Sequence, residues 1–385
     1  MQRPYLLPTP YSLLPTPYSL LPNMKELQDI ITTYNKLKNS GETIALATIV
    51  KVAGSTYRRP GARMLMTSKG EMVGSLSGGC LEGDVFEQAQ EVMNSQKSRL
   101  VSYDTTSEAD ILWGLGMGCQ GIVDILIEPL FGENGTILMS FFANCLQDRQ
   151  PGVLVTIFKS QAIEHHHLML SPDGDFTTKI TDYSLVQLLL NHGKNAQLSG
   201  KSFHISTHNI EAFIEVIHPP LSLVIFGAGH DAIPIVYFAK QLGWSVTVLD
   251  HRPAYATSTR FPEADDIIIS EYEKLPKSVI LDEKTVAVVM THNYIYDLTI
   301  LQNILPLPLR YLGILGPRRR TEKLLGEISI DEQYKKHLYA PVGLDIGADN
   351  PQEIALAIIA EIQAVITNRS AGFLRHRQLP IHSEN

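Results

Sequence analysis

The sequence predicts an α/β protein in two parts: a C-terminal domain built on a parallel, helix-covered sheet, and an N-terminal α+β domain. Three observations carry this. Leu221–Phe226 is a continuous apolar run, as a strand buried on both faces of a parallel sheet requires. It leads directly into Gly227-Ala228-Gly229-His230-Asp231-Ala232, a tight glycine turn that opens a helical stretch. The first part of the chain instead mixes short β-branched runs with basic and glycine-rich loops, the pattern of hairpins and covering helices.

The chain has 385 residues, which suggests two or three domains at roughly 100–200 residues each. A formal net charge of -8 argues against a general nucleic-acid binder, which needs a strongly basic face. Local basic clusters can still hold one anion. Three cysteines, Cys80, Cys119 and Cys145, form a sparse and odd set that fits a reducing, cytoplasmic setting better than a disulfide framework. No apolar run approaches the roughly 20 residues of a membrane helix, so no membrane association is expected.

Residues 1–23 repeat Leu-Leu-Pro-Thr-Pro-Tyr-Ser, and the recurring proline predicts a disordered extension, with Met24 as an alternative start. Residues 24–130 read as the α+β domain. A helix from Met24 precedes a strand at Thr43–Val50, a basic turn-rich loop at Gly54–Arg63, and strands at Met64–Thr67 and Met72–Ser75. Ser77-Gly78-Gly79-Cys80 opens a helix to about Ser95, and strands follow at Leu100–Tyr103 and Ile122–Ile127. Residues 131–217 read as a β-rich middle segment or connector, with strands such as Gly152–Phe158 and Phe213–Val216 around one helix at Ser184–Leu190. His165-His166-His167 is a weak metal candidate, because neighbours in a strand point to opposite faces.

Residues 218–370 read as a Rossmann-type domain, and 371–385 as a tail. Gly227 allows the tight turn, Gly229 lets a phosphate approach the backbone, and Ala232 lets the helix pack on the strand. The helix N-terminus then faces the anion. A second strand, Ser245–Leu249, ends at Asp250, where an acid usually bonds ribose hydroxyls, although Arg252 could instead favour a further phosphate. Thr285–Met290 ends in Thr291-His292-Asn293, Tyr311–Leu315 in Gly316-Pro317-Arg318-Arg319-Arg320, and a short strand near Tyr339 in Pro341–Gly347. Ligands of such sheets sit at the carboxyl ends of the strands, so these residues gather at one edge. The candidate contacts there are Gly227, Gly229, His230, Asp250, His292, Arg318 and Arg319. Cations at a helix start oppose the macrodipole, which points to a bound anion, the alternative being a solvated basic surface. The final helix starts at an Asn350-Pro351 cap with Glu353 reaching back, and its Ile354, Ile358, Ile362 and Val365 make one packing stripe.

Cys80 precedes a helix, where backbone N–H groups favour a thiolate. Cys119 lies in the glycine loop Gly114–Gly121. Two cysteines in glycine loops suggest soft-metal or sulfur chemistry, whereas a single cysteine is more often a small buried apolar residue. The same motifs, Gly54–Met66, Gly74–Asp84, Gly114–Pro129, Leu223–Ala232, Met290–Asn293, Leu312–Arg319 and Ala340–Glu353, resemble the XdhC/CoxI family of molybdenum-hydroxylase maturation proteins. The resemblance covers most of Met24 to about Ile366, though the middle segment matches poorly.

The resemblance implies a cofactor chaperone rather than a redox enzyme. Such a protein would bind the molybdenum cofactor (molybdopterin), protect it during sulfuration, and insert it into a xanthine dehydrogenase-type client. It further implies a homodimer and a cysteine desulfurase as a second partner. Cys80 and Cys119 match the family's two glycine-flanked cysteines, and Cys80 is the candidate to meet metal or sulfur. Arg58, Arg59 and Arg63 would screen negative charge, and the N-terminal loops would have to fold over the crevice of the parallel sheet. Where the family often has Cys-Gly-Gly, this chain has Cys119-Gln120-Gly121. The cysteine sets that iron–sulfur clusters need are absent, so the sequence does not support dehydrogenase activity itself. The competing expectation is an NAD(P)-dependent oxidoreductase, with Asp250 on the ribose and His292 or His230 as proton donor.

Overall fold

The computed structural model describes residues 24–104, 121–160, 167–207, 209–328, 332–379 and 381, and three sheets organise them. The proline-rich repeat, the Cys119 loop, His165 and His166 lie outside the described residues. The chain opens with α1 (Met24–Leu37), β1 (Ile44–Gly54), β2 (Arg63–Thr67), β3 (Met72–Gly74), α2 (Glu82–Ser95), β4 (Arg99–Asp104) and β5 (Gly121–Pro129). These strands form an antiparallel sheet ordered β3-β2-β1-β5-β4. The next stretch gives α3 (Gly132–Gln147), β6 (Gly152–Ser160), β7 (His167–Leu170), β8 (Phe176–Thr178), α4 (Tyr183–Ser199), β9 (Phe203–Ser206) and β10 (Ile210–Ile217). Its sheet is ordered β8-β7-β6-β10-β9.

The two modules therefore repeat one element order and one strand order, and the repeat extends to single residues. Thr48 on β1 faces Arg63 on β2, as Thr156 on β6 faces His167 on β7. Leu46 faces Glu128 on β5, as Leu154 faces Glu215 on β10. Each long strand carries a β-bulge at the matching position, Val50 in β1 and Phe158 in β6. These two residues meet Leu126 and Phe213 in a small core between the sheets. α1 and α3 share a larger core with residues of both sheets, including Leu46, Leu65, Leu154 and Ile217. α2 covers the other face of the first sheet and α4 that of the second.

The middle segment is thus a full module with its own sheet. Sequence periodicity misses α3 because Gly132, Asn134 and Gly135 crowd its first turn. Burial of Leu138, Phe141, Phe142 and Cys145 on one face overrides that weak propensity.

The third sheet is parallel and joins β11 (Ser222–Phe226), β12 (Ser245–Asp250), β13 (Asp266–Ile269), β14 (Thr285–Val289), β15 (Tyr311–Ile314) and β16 (Leu338–Tyr339). Their order is β13-β12-β11-β14-β15-β16, the doubly wound Rossmann arrangement with its reversal between β11 and β14. α5 (Ala232–Gln241) and α8 (Pro351–Ile366) cover one face. α6 (Tyr294–Ile304) and α7 (Arg318–Gly326) cover the other. The stripe of Ile358 and Ile362 lies buried in the first of these cores, and Asn350 with Glu353 makes the full capping box.

The N-terminal modules meet this domain at the amino edge of its strands. Gln28 Nε2 donates to Gly243 O at 3.0 Å, just before β12. Arg149 pairs with Asp282 at 2.5 Å, and Lys284 Nζ donates to Arg149 O at 2.8 Å, both just before β14. These are polar contacts of the kind that permit relative domain motion.

Candidate functional site

At the opposite, carboxyl edge the strands give way to the glycine turn and the polar turns that follow β14 and β15. Gly227 has φ +116°, and an added Cβ would lie 2.6 Å from the Met290 carbonyl oxygen. Both the conformation and the close approach of β14 demand glycine there. Asp231 occupies the N-cap of α5 without making a side-chain cap bond. Its carboxylate instead lies 2.7 Å from His292 Nε2, so the pair bridges the turns after β11 and β14, at the sheet's reversal point. The bond to Asp231 raises the His292 pKa, partly opposed by burial. His292 itself has φ +60°, a sparsely populated conformation often found at functional sites. His230, next to the turn, is exposed.

Asp250 is placed differently from the fingerprint expectation. It is fully buried, and its Oδ2 accepts the Ala228 N–H at 2.7 Å. Arg252 closes on the same carboxylate through Nε at 2.9 Å and Nη2 at 2.8 Å. Burial opposes ionisation, but Arg252 and the Ala228 N–H lower the Asp250 pKa overall. The carboxylate holds the glycine turn from beneath, and its oxygens are engaged within the chain rather than offered to a ribose.

Of the three arginines after Gly316, Arg320 is committed to Asp297 at 2.8 Å. Asp297 is fully buried, and that burial raises its pKa against the pull of Thr291 and Arg320. Arg318 and Arg319 are exposed at the start of α7 and make no ion pair among the described residues. They are the cations this edge offers to a ligand.

Cys80 is exposed in the loop between β3 and α2. That loop is organised by a residue the sequence reading missed. Glu82 Oε1 accepts from Leu76 N at 3.2 Å and Ser77 N at 2.8 Å, and Oε2 from Gly79 N at 3.0 Å and Leu81 N at 3.2 Å. Burial opposes its ionisation, yet the Ser77 hydroxyl and these N–H groups bring its pKa down to about 2. These backbone N–H groups serve Glu82, and Cys80 stands exposed on the loop they hold. Tyr57, with its ring over Gly78, is exposed beside it. A glutamate two residues after the cysteine is the signal that could have revealed this.

Two of the three arginines of the basic loop are tied into the fold. Arg58 forms a two-pronged pair with Glu26 of α1 at 2.9 and 2.6 Å. Arg63 is buried against Glu215 of the second module, which closes off any part in screening a ligand. Arg59 alone has no ion pair among the described residues and remains half-buried at the surface. Cys145 is buried, and desolvation pushes its thiol up to about 12. No cluster of three His, Cys, Asp or Glu suited to a metal ion occurs among the described residues.

No hydrogen bond or ion pair among the described residues joins the Cys80 loop to the glycine turn. The loop's hydrogen bonds run to Glu82 and Arg63 in its own module, and the modules dock at the amino edge of the parallel sheet. The strands between the two edges are about five residues, on the order of 16 Å, long.

Together these features describe a cysteine-bearing pair of α+β modules joined to a Rossmann domain whose carboxyl edge exposes Arg318 and Arg319. Residues 223–362 match the XdhC Rossmann domain, and residues 37–104 match the XdhC and CoxI family. The chain is 36% identical over 333 residues to a Bacillus subtilis protein described as a probable xanthine dehydrogenase subunit, covering 86% of this chain and 96% of that protein. It is 23% identical to the molybdenum cofactor insertion chaperone PaoD of Escherichia coli, covering 85% of this chain and 84% of PaoD. A crystal structure described as a xanthine dehydrogenase from Bacillus halodurans superposes with a TM-score of 0.75 at 32% identity, covering 90% of this chain and 98% of that one. The chain belongs to the XdhC and CoxI family. No helix among the described residues is long and apolar enough to cross a membrane.

Proposed function

We propose that this protein is a cytoplasmic molybdenum cofactor-binding chaperone that protects the cofactor, supports its sulfuration and delivers it to a xanthine dehydrogenase-type hydroxylase. The observation that carries the reading is the pairing of two unlike sites. One is a glycine turn edged by unpaired Arg318 and Arg319, suited to a pterin phosphate. The other is a rigid loop presenting an exposed thiol, suited to the metal or its sulfur. When bound, the cofactor supplies the molybdenum and sulfur chemistry, and the chain's own work is to hold the two ends. Likeness to PaoD, named as an insertion chaperone, supports the same direction.

NAD(P) fits less well, because Arg252 and the Ala228 N–H occupy the carboxylate that would take the ribose diol. Since the modules dock at the far edge of the sheet, we assign the Cys80 loop that meets a given crevice to a second copy in a homodimer. A cysteine desulfurase would act on that exposed loop.

The test is the ligand content of protein purified from a molybdenum-replete host. Oxidation should release stoichiometric fluorescent pterin, and Cys80→Ala should abolish cofactor transfer without unfolding. Mixing Cys80→Ala with an Arg318→Ala/Arg319→Ala variant should restore part of the transfer that neither supports alone. Nicotinamide nucleotide without pterin would overturn the reading.

A further inference from the structure

The internal repeat creates two matching positions where a cation meets a carboxylate across the module interface, and they are filled differently. At the first, Arg63 of β2 meets Glu215 of β10 with side chains only 6 and 4 % exposed. Nη1 donates to Oε1 at 2.8 Å while Nη2 bonds Oε2, a full two-pronged contact. α1 closes over this pair with Leu27 and Ile30, and only about 20 Å³ of free space remains.

At the second, the register places His167 of β7 and Glu128 of β5 at the same positions. Here His167 Nε2 lies 3.3 Å from Glu128 Oε1 and is the carboxylate's only ion-pair partner among the described residues. The fourth residue of the covering helix is Gly135, where α1 has Leu27. A cavity of about 270 Å³ opens there, floored by the pair and by Leu138 and Met169, with Lys97 and Lys179 at its rim. That is close to the lower end of ligand pockets, roughly 300 Å³. The first turn of α3 also lines it, and Phe131 at the N-cap contributes no side-chain bond to that turn. One copy of the repeat is thus sealed by a guanidinium and a leucine, and in the other a smaller imidazole and a glycine leave space.

We propose that this cavity binds a 2-amino-4-oxopyrimidine that carries a phosphate, the chemistry shared by guanine nucleotides and phosphorylated pterins. The ring N–H and the adjacent amino group of such a base present two parallel donors, as the Arg63 guanidinium does to Glu215, and Glu128 receives them. The phosphate meets Lys97 at the rim, beside Lys179, which also holds Asn134 and Glu133 of the first turn of α3. This site is separate from the proposed cofactor site. Cys80 precedes α2 and Lys97 follows it, and the 14 residues between span about 21 Å.

Calorimetric titration of the full chain with GMP, with 6-hydroxymethylpterin monophosphate and with AMP tests the inference. GMP or the pterin phosphate should fill one site that Ser98→Trp removes, and whichever does identifies the source. AMP should bind at least tenfold more weakly, because adenine offers an acceptor where guanine has a ring N–H. Ser98→Trp fills the cavity from its wall and should weaken binding at least tenfold at unchanged Tm. Glu128→Gln should do the same, and Ser98→Trp decides the matter if that variant is unstable. Binding that Ser98→Trp and Glu128→Gln leave intact belongs to the glycine turn, so the part they remove reports this cavity whether or not the chaperone reading holds. Absence of binding by both probes, equal binding of AMP, or full binding by Ser98→Trp would each overturn the proposal.

Discussion

Glu215→Ala tests how the two N-terminal modules are fastened together. The substitution leaves the Arg63 guanidinium 6 % exposed, with the Gly61 carbonyl at 2.8 Å and the Phe142 ring 4.7 Å away as its remaining partners. Removing one member of a buried pair strands the other charge at a cost of about 3–5 kcal/mol. For a unit of 150–250 residues, each kcal/mol lowers Tm by about 2–4 °C, so the expected fall is about 6–20 °C. The exposed pair Lys25–Asp29, at 38 and 46 % exposure, provides the contrast: breaking it should cost about 0.2–1 kcal/mol. Replacing both partners, Arg63→Met with Glu215→Leu, should recover most of the loss, since no buried charge is left alone. Urea denaturation followed by circular dichroism measures all four proteins. A loss below about 1 kcal/mol for Glu215→Ala, or a double variant as unstable as the single, would refute the reasoning.

Three further outcomes are expected. Gly227→Ala must place a Cβ 2.6 Å from the Met290 oxygen at φ +116°, so it should cost about 1–3 kcal/mol in thermal unfolding and lower the pterin content. Glu82 ionises at about 2 instead of the ordinary 4.5, so its contribution is complete above pH 4.5 and fades as pH falls toward 2. Acid unfolding of Glu82→Gln should accordingly be flatter than the parent over that window. The His292 pKa is raised by Asp231, so their contact contributes fully below the ordinary imidazole value of 6.5 and is lost as pH rises through the raised value. Asp231→Asn should return the His292 proton NMR titration toward 6.5, and an unmoved midpoint would show that the contact does not form in solution.

The parallel-sheet domain was legible because its signals are local. An unbroken apolar strand, a glycine turn and a capped helix each occupy a few adjacent residues, and the fold adds them in series. The carboxyl edge was legible for the same reason. What Asp250 does was not, because its partners depend on how Arg252 folds back two residues later. The repeat in the N-terminal half was invisible for a stronger reason. Its matching positions hold Arg63 and His167, or Leu27 and Gly135, so the modules agree in geometry and hydrogen-bond register but not in side chains. The role of Glu82 showed in the sequence only as an acid two residues after Cys80, because the carboxylate acts through backbone N–H groups that come together when the loop folds.

The module pair also amounts to a chassis with one bare copy. The second module keeps the helices, strand order and bulge of the first but joins β8 to α4 through Lys179–Asp182, with no glycine pair and no cysteine. The framework is therefore common to both copies, and the thiol loop belongs to one of them. Changes to the thiol loop can be explored with little threat to the scaffold, and the bare copy offers a ready-made position on which a second such loop could be grafted.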